Sequence, residues 1–281
     1  MPESDWRYRT FFAQGLPPGK LLDVGCGDGG FLTMAKTKGF AAAGFDFERR
    51  MVELAHSRGL IDVESAEFGE YCRGRTADEF DHITLFDVLE HTPEPGWFLG
   101  ELKRLLKLGG HVAITLPNAL RPLPWGREEH DFPPHHFTRW TPRAMRGFLE
   151  RNGFRVIRQD AAKLKIYYLA EHFFFYVLMP SLLGAARRLL FGAAAGRTIT
   201  ELYAERSKTS AAPPDAVRGS WRDRARAVLC DKWTRQRVVN AFKALCAVFV
   251  YPMAAAMAAY YRLRRPECGD SLFTLARLER K

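Results

Sequence analysis

Apolar positions along the chain form short continuous runs, separated by segments in which they recur every three or four residues. "KLLDVGC" is apolar up to a glycine turn, and "GFLTMAKTKG" beyond it has the helical period, with Gly39 as its stop. The alternation then repeats. "FAAAGFDF" predicts a second strand, "ERRMVELAHSRG" its helix, "IDVES" a weaker third strand followed by a loop, and "FDHITLFDVLEH" a fourth strand. "PGWFLGELKRLLKLGG" predicts an amphipathic helix running to Gly109 and Gly110, and "HVAITLPN" a fifth strand. "TPRAMRGFLERNG" predicts a helix with Thr141 as N-cap and Pro142 at its first position, and "FRVIRQDA" a sixth strand. Such alternation predicts an α/β fold, a Rossmann-like seven-stranded, mostly parallel sheet covered by helices. The seventh strand, "SLFTLARLE" at residues 271–279, comes only after a long interval. The pattern therefore divides the chain into a core over residues 1–162, a helical insertion over 163–268, and the final core strand within 269–281.

"LLDVGCGDGGFL" hands a strand to a helix through glycines, the arrangement in which backbone N–H groups face a ligand. Gly25, Gly27 and Gly30 also satisfy the dinucleotide spacing G-x-G-x-x-G, so the loop alone does not select a cofactor. Asp23 does. Beside a pyrophosphate its carboxylate would meet like charge. Beside S-adenosylmethionine, which carries a sulfonium and an ammonium and no phosphate, it is favourable. The plainer role for Asp23 is a turn or capping residue. Asp46, at the end of the second strand, suits two ribose hydroxyls in either cofactor.

"LLDVGCGDGGFL", "GFDF", "FDHITLFDVLEHTPEP", "LLKLGGHVAITLPN" and "HHFTRWTPRAMRGFLERNGF" resemble, in order, the motifs of class I S-adenosylmethionine-dependent methyltransferases. The resemblance is closest to the small-molecule branch that includes the ubiquinone-pathway O-methyltransferases, and it covers Trp6 to Ala161 plus the last strand. It implies that Asp23, Gly25 and Gly27 hold the methionine part, Asp46 the ribose, and Phe47 one face of the adenine. It also implies that the backbone at Ser65 and Ala66 reads the adenine edge, where many relatives have an Asp that this chain lacks. Phe86, at the end of the fourth strand, would border the sulfonium.

Methyl transfer is an in-line displacement at an activated carbon, needing orientation and, for a hydroxyl acceptor, a base. Candidates belong on loops at the carboxyl edge of the sheet. "LEHTPEP" supplies Glu90 and His91, and "REEHDFPPHHFTRW" supplies His130, Asp131, His135 and His136. His91 and His136 are the first choices for a base, ahead of His130, although each could instead be a structural contact. With Glu128 and Glu129 these histidines could suggest a metal, but no H-x-x-x-H helix pattern supports one, and no catalytic metal is expected. Asp87-Val88-Leu89-Glu90 stands where nucleic-acid amino-methyltransferases carry Asn-Pro-Pro-Tyr, which counts against a nucleic-acid substrate.

The chain has 281 residues, 47% of them hydrophobic, and a net charge of +10. Most of that excess lies between Arg187 and Lys243, with 13 basic and 5 acidic residues, which argues against a basic nucleic-acid groove over the glycine loop. Five scattered cysteines without a C-x-x-C pair fit a reducing, cytoplasmic setting. The first residues, "MPESDWRYRT", have no apolar region of a secretory signal. Residues 172–186 and 244–261 are free of Asp, Glu, Lys and Arg, yet each contains a proline, and eighteen helical residues rise only about 27 Å. Between them lie a loop-like stretch at 205–220 and the basic "RGSWRDRARAVLCDKWTRQR" with Trp221 and Trp233, of the kind that lies on anionic headgroups. The insertion thus reads as a contact with the inner face of a membrane, or as an apolar lid or homodimer interface. The leading function is methyl transfer to a small-molecule or lipid-linked acceptor, most readily at oxygen. Its rivals are a nicotinamide-dependent oxidoreductase and a non-catalytic, membrane-associated cofactor-binding protein.

Overall fold

The structure, a computed structural model, describes residues 4–122, 131–174, 181 and 250–281. Seven strands, β1 (Lys20–Val24), β2 (Ala41–Asp46), β3 (Val63–Ser65), β4 (Phe80–Phe86), β5 (Leu106–Pro117), β6 (Phe154–Ala161) and β7 (Ser271–Leu278), form one sheet. Their order is β3-β2-β1-β4-β5-β7-β6. The first five pair in parallel, and β7 runs antiparallel between β5 and β6. The sheet is therefore mostly parallel, as the alternation implied.

Central strands are buried on both faces, which is why they read as continuous apolar runs. Leu22 packs with α4 (Phe68–Arg73), α5 (Pro95–Leu105) and α6 (Pro142–Arg151) through Tyr71, Leu99, Leu102 and Met145. Its neighbour Leu21 joins the opposite layer, with α1 (Trp6–Phe12), α2 (Gly30–Thr37) and α3 (Arg49–Ser57) through Phe11, Phe31 and Val52. Successive strand residues point to opposite faces, so one short run serves two helical layers. The helix α6 starts as its sequence demands, with the Thr141 hydroxyl accepting the Ala144 N–H at 3.1 Å.

Three local expectations need correction. The segment after β3 is the helix α4 rather than a loop, closed at Gly74. A further helix, α1, precedes β1; Asp5 caps it by accepting the Arg7 N–H at 2.9 Å. The helix α5 ends at Leu105 and the chain passes directly into β5, so Gly109 and Gly110 lie in that strand. A Cβ on Gly110 would come 2.9 Å from the Asp81 carbonyl oxygen, so the glycine serves the close approach of β5 to β4.

The chain divides into two compact units. Met1–Pro122, Arg127–Leu164 and Tyr260–Lys281 form the first, which holds the whole sheet. The second comprises Leu123–Gly126 and Lys165–Ala259. Its described part includes α7 (Ile166–Phe173) and helical residues 250–259, with Leu169, Ala170, Ala254 and Ala258 buried. The basic stretch with its tryptophans, the stretch at 205–220, most of the first uncharged stretch, residues 244–249 of the second, and Glu128, Glu129 and His130 lie outside the described residues. No helix among the described residues is long and apolar enough to cross a membrane.

At the amino end of the sheet, His82 of β4 and His111 of β5 stack with ring centroids 5.4 Å apart. His82 Nε2 lies 3.0 Å from the Pro17 carbonyl, an acceptor, so Nε2 carries the proton and the buried Nδ1 is bare. Burial disfavours the charged form of both rings, and His111 is pushed down to about 4. Folding therefore favours neutral imidazoles, while the unfolded chain takes up protons below about pH 6.5. This stabilisation is complete above that pH and is lost as pH falls from about 6.5 toward about 4. Urea unfolding between pH 7.5 and 5 should show stability falling with acidity, and the fall should be smaller in the His82→Gln/His111→Gln double variant. Equal slopes would remove these rings from the explanation.

Candidate functional site

The strand order reverses between β1 and β4: the chain moves outward from β1 to β2 and β3, then returns to β4 on the other side. In open α/β sheets a ligand crevice opens at the carboxyl ends of the strands flanking such a reversal. Asp23 lies there, 2% exposed, paired in register with Thr84, whose hydroxyl donates to its Oδ1 at 2.6 Å. Burial pushes the Asp23 carboxyl up to about 7, while the Thr84 hydrogen bond and the Arg7 charge oppose the rise. A nearby cation would restore its ionised form.

Asp46 closes β2 beside it. One carboxylate oxygen accepts the Gly27 N–H at 2.8 Å and the other the Glu48 N–H at 2.9 Å. Each oxygen keeps a second lone pair, so the carboxylate is fixed in direction and can still accept two hydroxyls. The glycine loop is anchored to the same strand end, with the N–H groups of Gly25 and Cys26 both donating to the Phe45 carbonyl. Gly25 has φ +68°, and a Cβ there would lie 2.8 Å from Val88 Cγ2. Gly27 has φ +53° and would meet nothing within 4 Å, so the backbone conformation requires glycine there and the space before it is open. Phe47 is 73% exposed, Ser65 is exposed at the end of β3, and the Ala66 N–H donates to the Asp46 carbonyl. Phe86 is buried, its ring 4.8 Å from that of Phe31 and 5.3 Å from that of Tyr8.

A second group forms after β4, where the turn Leu89–His91 meets the loop after β5. The Phe137 N–H donates to the Glu90 carbonyl at 2.8 Å, drawing the loop onto the turn. His91 Nδ1 lies 2.7 Å from the His135 carbonyl. A carbonyl can only accept, so Nδ1 bears the proton and the neutral ring presents its lone pair at Nε2. That nitrogen is 4.0 Å from Glu90 Oε1, and the His136 ring centroid is 4.9 Å from that of His91. Glu90 is 2% exposed with neither side-chain oxygen hydrogen-bonded, and burial pushes it up to about 8, with Asp87 adding to the rise. Behind His136 lies the buried Asp131, 3.8 Å from His136 Nδ1 and salt-bridged to Arg121.

The family model described as "Methyltransferase domain" matches residues 5–159. The chain belongs to the methyltransferase-domain family. It is similar to the ubiquinone biosynthesis O-methyltransferase of Pasteurella multocida, 28% identical over 50% of this chain and 71% of that protein. Against the enzyme of that name from Histophilus somni the identity is 32%, over 47% of this chain and 66% of the relative. Other curated relatives of the same name are matched over less than half their length. The fold is that of the S-adenosylmethionine-dependent methyltransferase from Archaeoglobus fulgidus, with a TM-score of 0.54 at 16% identity, covering 96% of this chain and 91% of that one. The protein is thus a class I S-adenosylmethionine-dependent methyltransferase.

The residues of this methyltransferase suit the donor that the family uses. An open glycine backbone, a buried carboxylate beside it and a second carboxylate with lone pairs to spare are compatible with a cationic nucleoside. His91 and His136, far apart in the sequence, come together. Glu90, His91 and His136 have donor atoms within 4.8 Å of one another. This convergence of lone pairs suits a shared proton, and among the described residues it is where three potential cation ligands meet. Sequence reasoning missed how far Glu90 is buried, and it missed Arg121 behind Asp131 and Arg7 and Tyr8 on α1. Only the Asp5 cap two positions before Arg7 signalled that last pair.

Proposed function

We propose that the protein transfers a methyl group from S-adenosylmethionine to a hydroxyl of a small-molecule or lipid-linked acceptor. The observation that carries the reading is the pair of carboxylates, Asp23 and Asp46, flanking an open glycine turn at the point where the strand order reverses. Asp23, Gly25 and Gly27 would hold the methionine part, Asp46 the ribose, Phe47 and the backbone of Ser65 and Ala66 the adenine, and Phe86 the region of the sulfur. When bound, the donor supplies an activated methyl carbon. This chain then has to orient an acceptor oxygen and receive its proton. His91 Nε2 carries the lone pair for that step, and the neighbouring His136 and Glu90 are placed to share the proton. Similarity to ubiquinone biosynthesis O-methyltransferases supports oxygen as the methylated atom.

The basic, tryptophan-bearing stretch of the sequence favours an acceptor presented at an anionic membrane surface. One experiment addresses both parts. Calorimetry should show binding of S-adenosylmethionine and none of NAD. Incubation with methyl-labelled donor should then label a phenol carried on an isoprenoid tail, faster in anionic than in neutral vesicles, with added salt narrowing the difference. Binding of NAD alone would favour the oxidoreductase rival, donor binding without labelling of any acceptor the non-catalytic one. Equal rates in both vesicle types would remove the membrane surface from the reading.

A further inference from the structure

The helix α1 brings an aromatic ring to the glycine turn from outside the sheet. Tyr8 lies with its ring centroid 5.2 Å from Phe31, at the start of α2, and 5.3 Å from Phe86, at the end of β4. Phe31 lies just beyond the glycine turn after β1 and Phe86 closes β4, the two strands that flank the reversal, so the three rings converge where the donor crevice opens. The placement of Tyr8 is fixed at both sides. Asp5 caps the helix and holds the Arg7 guanidinium at 2.7 Å, and Arg7 Nη1 reaches Asp87 Oδ2 at 2.6 Å. Asp87 is in turn held by Thr115, whose hydroxyl donates to its Oδ1 at 3.1 Å. Trp6 sets its ring against that of Phe273 in β7, edge to face, with centroids 6.4 Å apart.

We propose that Tyr8 forms a wall of the donor site and selects the cationic sulfonium of S-adenosylmethionine over the neutral thioether of its demethylated product. The inference rests on the functional reading above. An aromatic ring attracts a cation through its electron-rich face and offers a neutral sulfur much less. The Arg7 guanidinium carbon, 5.4 Å from the Tyr8 centroid, already uses the ring in this way. Its own charge is balanced by Asp5 and Asp87, so it adds little repulsion toward a second cation. The negative charge near the ring points the same way: Asp23, Asp5 and Asp28 all disfavour ionisation of the Tyr8 hydroxyl, after burial, which does most. A wall that holds donor more tightly than product also helps the product leave, since the attraction disappears with the transferred methyl group.

The test is the ratio of two affinities, measured by calorimetry on the full chain with S-adenosylmethionine and S-adenosylhomocysteine. Tyr8→Leu should weaken the donor by about threefold to tenfold more than the product, the range of a partly shielded cation–ring contact. Tyr8→Phe, which keeps the ring, should leave the ratio within about twofold of wild type. Should the Leu variant fail to fold, Tyr8→Met carries the same expectation. Trp6→Leu, which loosens α1 without touching the ring trio, should weaken both ligands alike. Equal losses for donor and product in Tyr8→Leu would overturn the assignment of Tyr8, as would a Trp6→Leu variant that shifts the ratio equally. Wild-type protein binding neither nucleoside would instead overturn the functional reading, and this inference with it.

Discussion

Replacing His91 with Ala should lower kcat by about 10²–10⁴-fold for a hydroxyl acceptor, with donor affinity nearly unchanged. The ring is half exposed at the carboxyl edge of the sheet, and its Nδ1–H is held by the His135 carbonyl, which leaves Nε2 as the basic nitrogen. Losing it removes the proton acceptor and leaves the glycine turn and Asp46 untouched. His136→Ala should fall in the same direction, because its ring is the neighbour that shares the pocket around Nε2. Steady-state rates at saturating donor, with calorimetry of donor binding, measure the effect. Rates like wild type in both variants would assign the two rings to structure. A chelator arm separates two kinds of chemistry: unchanged turnover after chelation keeps proton transfer as the role. Turnover lost on chelation and restored by a divalent ion would transfer Glu90, His91 and His136 to a cation.

Asp46→Ala should weaken donor binding by about 1.5–3 kcal/mol, roughly ten- to a hundredfold, the scale of hydrogen bonds to a charged group. Two losses combine in that figure. The ribose hydroxyls lose their acceptor, and the Gly27 and Glu48 N–H groups lose the carboxylate that orients the turn. Asp46→Asn separates the contributions, since the amide oxygen can still accept one N–H while the charge is gone. It should fall between wild type and Asp46→Ala. Calorimetry with S-adenosylmethionine reads all three proteins, and unchanged affinity in Asp46→Ala would place the nucleoside elsewhere.

The aromatic residues of α1 show why some of the site was hidden in the sequence. "WRYRTFF" is only 7 residues long, mixes charges with rings, and has too few turns for a helical period to stand out. Its packing partners, Phe31, Phe86 and Phe273, are spread through the chain, so no local window contains the reason for the helix. The helix α4 is hidden in the same way, as its six residues bury only Tyr71 and Cys72. The overrun expected for α5 has a different cause. "KRLLKLGG" continues the helical period, but β4 offers an open edge to the backbone from Leu106 onward, and pairing with it wins.

Local pattern alone determined the strand–helix alternation, the glycine turn after β1, and the carboxylates at Asp23 and Asp46. Each of these follows from which neighbours along the chain are apolar, small or charged, and such information is complete within a dozen residues. The long interval before "SLFTLARLE" was visible too, since a buried strand carries its own apolar run. Tertiary structure alone decided that β7 would slide antiparallel between β5 and β6. It also decided that Glu90 would be sealed without a hydrogen-bonding partner beside His91, and that His136 would arrive from a different loop. Pairing partners and converging side chains depend on contacts between residues tens to hundreds of positions apart. No periodicity records those contacts, because their energy exists only once the sheet has closed around them.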